Sequence, residues 1–226
     1  MIYILTGGPA TGKGTRSDIL AKALNIPHIS TGDMLRERAQ KDPELKASLS
    51  RGELVPDSMI NAILEERITR EDCVNGFVLD GYPRTYSQAV TLDELFEKYG
   101  LSITKVMELV VPDELAFKRI LERKKCDNCG EQYGIDFPPK VEDVCDNKDC
   151  GAQYGIDFPP KVDGVCDKCG GHLSIRTDDT KETLAKRINT YRENAKEILD
   201  YYRDKGLLYT YDASHNPETV VEDALN

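Results

Sequence analysis

The 226-residue chain has no apolar run near the length of a membrane span, which argues against a helical membrane protein. It also lacks a basic excess. Its 30 Lys and Arg stand against 40 Asp and Glu, a formal net charge of −10, which excludes a general nucleic-acid binder. A polyphosphate remains a possible ligand for such a chain where arginines converge locally. The first residues read as a core strand and not as an export signal. Cysteine is nearly absent outside one stretch: of seven, only Cys73 lies outside residues 126–169. The others stand mostly as Cys-x-x-Cys, and without an export signal that pattern favours zinc in a reducing cytoplasm over disulfides. The length predicts one domain with appended lobes.

What is present begins at residue 1. Met1 to Thr6 form a short apolar run, followed by Gly7-Gly8-Pro9-Ala10-Thr11-Gly12-Lys13-Gly14-Thr15. Gly, four residues, then Gly-Lys is the spacing of a phosphate-binding loop. Glycines let backbone N–H groups wrap an anion, and the helix that follows adds its positive dipole end. Lys13 reaches the outer phosphates as a point charge. Gly14 stands where Ser or Thr usually follows the lysine, and Thr15 comes one later. The helix is predicted to bury Ile19, Leu20, Ala23 and Leu24.

Strand-like runs recur at Ile2–Thr6, Pro27–Ile29, Gly76–Asp80, Lys105–Val111 and Leu207–Tyr211. Helical stripes separate them: Met59, Ile60, Ile63, Leu64 and Ile68 form one, and Leu184, Ile188, Tyr191, Ala195, Ile198 and Tyr202 another. The alternation predicts an α/β fold, a parallel sheet covered by helices on both faces, with ligands beyond the C-terminal strand ends. Two stretches break it. Residues 30–55 are helical and polar and read as a small lobe. Residues 124–175 hold the cysteines and an internal repeat: 129–146 (CGEQYGIDFPPKVEDVCD) and 150–167 (CGAQYGIDFPPKVDGVCD) differ only at Glu131/Ala152, Glu142/Asp163 and Asp143/Gly164.

Two further motifs carry chemistry. Gly76 to Leu79 lead into Asp80-Gly81-Tyr82-Pro83-Arg84-Thr85. An aspartate at a strand end beside a phosphate loop suits Mg²⁺ held through water, and Arg84 suits a phosphate fork. In Ser30-Thr31-Gly32-Asp33-Met34-Leu35-Arg36, Ser30 or Thr31 caps a helix that carries Arg36 toward the ligand side. Cys126/Cys129 and Cys166/Cys169 have zinc-knuckle spacing. Cys145 and Cys150 form a looser third pair, so the outer two pairs, the first two or the last two would each complete a tetrad.

The phosphate loop, the Ser-Thr-Gly-Asp-Met-Leu-Arg run and the Asp-Gly-Tyr-Pro-Arg-Thr run, in this order, resemble the adenylate kinases over nearly the whole chain, the lid being of the long zinc-containing type. The resemblance implies a core P-loop domain (1–29, 56–123, 176–226), an AMP-binding lobe (30–55) and a zinc-ribbon-like lid over ATP (124–175). It implies phosphoryl transfer from MgATP to AMP, giving two ADP. Gly8, Ala10, Gly12, Lys13, Gly14 and Thr15 would cradle ATP, with Asp80 at Mg²⁺. Thr31, Arg36, Val55, Gly81, Arg84 and Gln88 would line the AMP site. Arg119, Arg123, Arg176 and Arg187 match the arginines drawn onto the transferring group, and Asp178 and Asp179 the acidic pair after the lid. Gln132 and Tyr133, or equally Gln153 and Tyr154, match the position near the ATP base; Asp212–Pro217 occupies the adenine-contacting loop. The outer cysteine pairs are favoured for one structural Zn²⁺, because they keep the hinge connections of the family. A cytoplasmic monomer without nucleic-acid or membrane partners is expected. A kinase for another nucleoside monophosphate, or one using GTP, and a zinc-ribbon binding module on an inactive scaffold are the competing readings.

Overall fold

Apolar residues on successive strand positions point to opposite sides of a sheet, and here both sides are buried. Ile2, Ile4, Phe77 and Leu79 enter one core cluster, while Tyr3, Leu5 and Val78 enter another. The computed structural model describes residues 1–122, 124–126, 128, 132–133, 162, 164–166, 169–175, 180–214 and 216–226.

The main sheet contains β1 (Ile2–Gly7), β2 (His28–Ser30), β3 (Phe77–Asp80), β4 (Lys105–Val110) and β8 (Leu208–Asp212), all parallel, in the order β2-β3-β1-β4-β8. These five match the five strand-like runs to within a residue or two at each end. The helices are α1 (Lys13–Leu24), α2 (Thr31–Ala39), α3 (Pro43–Ser50), α4 (Asp57–Ile68), α5 (Tyr86–Lys98), α6 (Asp113–Glu122), α7 (Lys181–Asp204) and α8 (Thr219–Leu225). Residues from α2, α3, α4, α5 and α7 cover the Ile2/Phe77 face, and α1 and α8 cover the other. A second sheet, β6-β5-β7, joins β5 (Lys124–Cys126), β6 (Gln132–Tyr133) and β7 (Leu173–Ser174) in antiparallel pairs.

By contacts the chain divides into two compact units: Met1–Val111 with Ala185–Asn226, and Pro112–Leu184. The five-stranded sheet lies in the first, and the β6-β5-β7 sheet in the second. Among the described residues no helix is long and apolar enough to cross a membrane.

Local chemistry explains most boundaries. The Ser30 hydroxyl accepts from Asp33 N at the start of α2, so Ser30 is the cap and Thr31 the first helical residue. Asp42, ahead of Pro43, caps α3, and Thr85 caps α5. The α4 stripe is buried as its spacing predicts, with Ile60, Leu64 and Ile68 inside and Met59 and Ile63 at the margin. One expectation is corrected. Ala23 is exposed, and the buried face of α1 is Arg16, Ser17, Leu20 and Ala21, with Ile19 and Leu24 partly covered. On that face Arg16 turns inward and donates to Thr11 O and, far along the chain, to Ala213 O.

Candidate functional site

Register brings the chemistry together. Ser30 pairs with Asp80 and Leu5 pairs with Asp80 across the neighbouring ladder, so β2, β3 and β1 end side by side. The helix that leaves β1, α1, lies on one face of the sheet, and α7, which leads into β8, lies on the other. A crevice at such a switch point is where open α/β sheets hold ligands.

The 7–15 loop fills that end. Gly12 sits at φ +80°, immediately before α1, and a Cβ there would come within 2.4 Å of Arg16 Nη1. No side chain caps α1, which leaves its first N–H groups available to an anion. Lys13 Nζ donates to the carbonyls of Gly7 (2.8 Å) and Gly8 (2.6 Å), so the ammonium is held at the loop. Gly8, Ala10, Gly14 and Thr15 lie half-buried around it. Asp80, 9% exposed, places Oδ2 3.6 Å from where a Cβ on Gly14 would stand. The strand-end aspartate therefore faces the phosphate loop, as its place in the sequence predicts.

On the other side of Asp80 stand the residues expected around the second nucleotide. Thr31 is buried, and its hydroxyl donates to Asp80 O at 3.1 Å. Gly81, at φ +82°, leaves room that a Cβ would take from Thr31 Oγ1 (2.9 Å) and Arg84 Nη2 (3.3 Å). Arg84 Nε donates to Gly81 O. Solvent reaches the Arg84 side chain, yet protein surrounds it as an interior would. That burial lowers its pKa; Asp80 opposes the shift, and the positive charges of Arg187 and Arg36 add to it. Three arginines thus converge beside Asp80. Arg36 also pairs with Asp33 at 2.5 Å. Gln88 is buried: Oε1 accepts from Arg84 N (2.7 Å) and Nε2 donates to Asp57 Oδ1 (2.6 Å). Val55 is buried in the core cluster beneath.

The second unit is described in part. Arg119 is buried on α6. Arg123, Cys129, Cys145, Cys150, Arg176, Asp178, Asp179 and most of the repeat lie outside the described residues, while Cys126 and Tyr133 are described through their backbones, on β5 and β6. Cys166-x-x-Cys169 turns tightly: Gly170 N donates to Cys166 O, and Cys166 N donates to Gly171 O, both at 2.8 Å. Asn128, inside the first Cys-x-x-Cys, donates to Cys169 Sγ at 3.5 Å, and Cys126 pairs in register with Leu173. Among the described residues, no three His, Cys, Asp or Glu side chains form a metal-holding group by themselves.

Sequence reasoning missed four residues. Arg16 is fully buried: Nη2 donates to Ala213 O (2.9 Å), and the guanidinium lies 5.4 Å from the Tyr211 ring centroid. His28 Nδ1 meets Asp18 Oδ1 at 2.6 Å, with Nε2 3.7 Å from Asp80 Oδ2. Tyr191 on α7 packs toward the phosphate loop, its ring 3.5 Å from where a Cβ on Gly8 would stand. Burial first, then Glu108, pushes its phenol up to about 12. Lys186 reaches the segment after α3. Of these, the periodicity signalled only Tyr191, as one of the apolar α7 positions.

Comparison with known proteins finds relatives over nearly the whole chain. Residues 5–207 match the family model described as adenylate kinase. An adenylate kinase of Caldicellulosiruptor bescii is 42% identical, over 92% of this chain and 89% of the relative. One from Archaeoglobus fulgidus is 41% identical, over 97% and 94%. One from Thermosipho africanus is 40% identical, over 100% and 98%.

Proposed function

The chain belongs to the adenylate kinase family, and from that premise we propose how its residues divide the reversible transfer of a phosphoryl group from MgATP to AMP. The relatives do not favour the competing readings, another acceptor, a GTP donor or an inactive zinc-ribbon scaffold.

The observation that carries the residue-level reading is the convergence of Arg36, Arg84 and Arg187 beside the Asp80 strand end. Like charges gathered in a cleft are stabilised by a polyanion. Arg36 and Arg84 hold the AMP phosphate, with Thr31, Val55, Gly81 and Gln88 shaping the rest of that site. Gly8, Ala10, Gly12, Gly14 and Thr15 wrap the ATP phosphates. Lys13 exchanges the Gly7 and Gly8 carbonyls for phosphate oxygens. Arg187, with Arg119, Arg123 and Arg176 by the family pattern, neutralises charge on the transferring group.

Adenylate kinases use Mg²⁺ with ATP, and the buried Asp80 carboxylate facing Gly14 fits a cation held through water at the loop. When bound, the ion draws charge from the phosphate oxygens. No protein nucleophile is needed. AMP is the nucleophile, and the protein aligns the two ligands and excludes water that would otherwise accept the phosphoryl group. We assign the closing parts as an AMP lobe at 30–55 and a lid at 124–175 on a core of 1–29, 56–123 and 176–226.

The test is ADP formation from ATP with AMP, CMP, UMP and GMP as parallel acceptors, in wild type and Arg36→Ala. AMP is expected to be the preferred acceptor. Losing one charge-assisted phosphate contact should raise KM for AMP by about tenfold or more, with KM for ATP little changed. An equal rise in both constants would remove Arg36 from the AMP site.

For the lid we propose one structural Zn²⁺ held by Cys126, Cys129, Cys166 and Cys169. The tight turn at Cys166–Gly170, the Asn128–Cys169 hydrogen bond and the β5–β7 pairing support it, since they set Asn128 beside Cys169 and Cys126 opposite Leu173. Thiolate coordination would hold a lid too small to stabilise itself through a core. The double substitution Cys145→Ser, Cys150→Ser is expected to keep one zinc per chain by elemental analysis. Loss of the metal would transfer the site to a tetrad containing the middle pair. A reducing cytoplasm and a monomeric state fit the cysteine spacing and the family pattern.

A further inference from the structure

The end of α3 is bound to α7 by a compact set of charges. Arg51 follows the last residue of α3, and Gly52, at φ +69°, turns the chain away, with its N–H on Leu49 O at 3.0 Å. The turn directs the Arg51 carbonyl outward, and Lys186 Nζ donates to it at 3.0 Å. The same ammonium lies 3.7 Å from Glu53 Oε1. Glu53 in turn is gripped by Arg51, Nε on Oε1 and Nη2 on Oε2, each at 2.8 Å. Lys186 therefore meets three attractions at once: the negative end of a helix, a carbonyl oxygen at that end and a carboxylate. Its own helix neighbour is Arg187, and the segment it holds runs on to the buried Val55.

We infer that Lys186 is a positioning residue for the AMP site, clasping the 51–55 segment against the α7 turn that carries Arg187. The inference rests on the AMP-site reading above. Lys186 touches neither nucleotide; it acts by favouring, among the positions the closing 30–55 lobe takes, the one in which its 51–55 wall lies against the helix that supplies Arg187. A bound AMP then need not order that wall itself. All three charged groups are exposed or half-exposed, so the clasp is individually weak. It acts on a binding equilibrium and not on the fold.

The test compares Lys186→Met, which keeps the stem and removes the charge and donors, with Lys186→Arg, which keeps a cation able to reach both oxygens. At low ionic strength, Lys186→Met is expected to raise KM for AMP about three- to fivefold, the range of an exposed ion pair. KM for ATP and the melting temperature should stay near wild type, and Lys186→Arg should restore most of the loss. Added salt should raise the wild-type KM for AMP toward that of Lys186→Met. An unchanged KM for AMP in Lys186→Met, an equal change in KM for ATP, or a failure of arginine to rescue would each overturn the clasp. Arg36→Ala in the same series separates the two readings. If it raises KM for AMP while Lys186→Met does not, only the clasp fails; if neither does, the placement of the AMP site fails with it.

Discussion

Lys13→Met is expected to lower kcat by roughly a thousandfold, at the upper end of what removal of one preorganised donor from a charged transition state costs. The lysine is the first residue of α1, placed by a glycine whose left-handed backbone also leaves that helix uncapped. Its ammonium is already within hydrogen-bond distance of two loop carbonyls, so little ordering separates the resting position from the phosphates. Methionine preserves length and apolar stem and removes only the charge and its donors. Arginine at position 13 is not expected to rescue, since a planar fork does not fit where a compact ammonium sits between two carbonyls. Steady-state ADP formation at saturating ATP and AMP checks the prediction, with thermal unfolding as the control for folding. A loss below about tenfold would mean that the arginines and Mg²⁺ carry the phosphate charge without the lysine.

The second large effect is on stability and depends on pH. Burial alone would depress the His28 pKa, but Asp18 and Asp80 override it and push it from 6.5 up to about 9. A group whose pKa is raised by folding binds its proton more tightly in the native state. Its stabilisation is complete below the unfolded value near 6.5 and is lost as pH rises through about 9. The shift corresponds to about 3 kcal/mol at most. The stability difference between wild type and His28→Gln, measured by denaturant unfolding without nucleotide or Mg²⁺, should therefore be largest near pH 6 and shrink steadily toward pH 9 and above. A difference that stays flat across that window would show that the imidazole is neutral throughout and serves only as a hydrogen-bonding and packing group.

The parts of this molecule that read directly from the chain are those whose cause is local. The phosphate loop, the strand ending in Asp80, the Ser30 cap and the stripes of α4 and α7 each follow from spacing over a few residues, and the family motifs set their roles. Arg16, His28 and Lys186 were opaque for the opposite reason. An arginine three residues after Lys13 looks like a solvated helix position, yet it is buried against the Tyr211 ring and the Ala213 carbonyl, the latter 197 residues away. Lys186 reads as surface charge until folding brings the Arg51 carbonyl, 135 residues earlier, against it. The family resemblance proposes Gln88 for the AMP site, but its double engagement with Arg84 N and Asp57 was not legible in the sequence. Periodicity reports which face is covered and is silent about which polar group is covered with it.

The sheet order also governs when the site comes into being during synthesis. β1 occupies the centre of the order β2-β3-β1-β4-β8, and the helix that follows the phosphate loop is tied through the Arg16–Ala213 hydrogen bond to the residue just past β8, the strand added beyond β4. The start of α1 is thus translated 197 residues before the carbonyl that anchors it. A ribosome-bound chain ending before β8 would hold Arg16 without the carbonyl that fixes it, and a buried cation without its partner is unfavourable. The start of α1, on which the phosphate loop is built, therefore reaches its native packing only after the segment around Ala213 has been made.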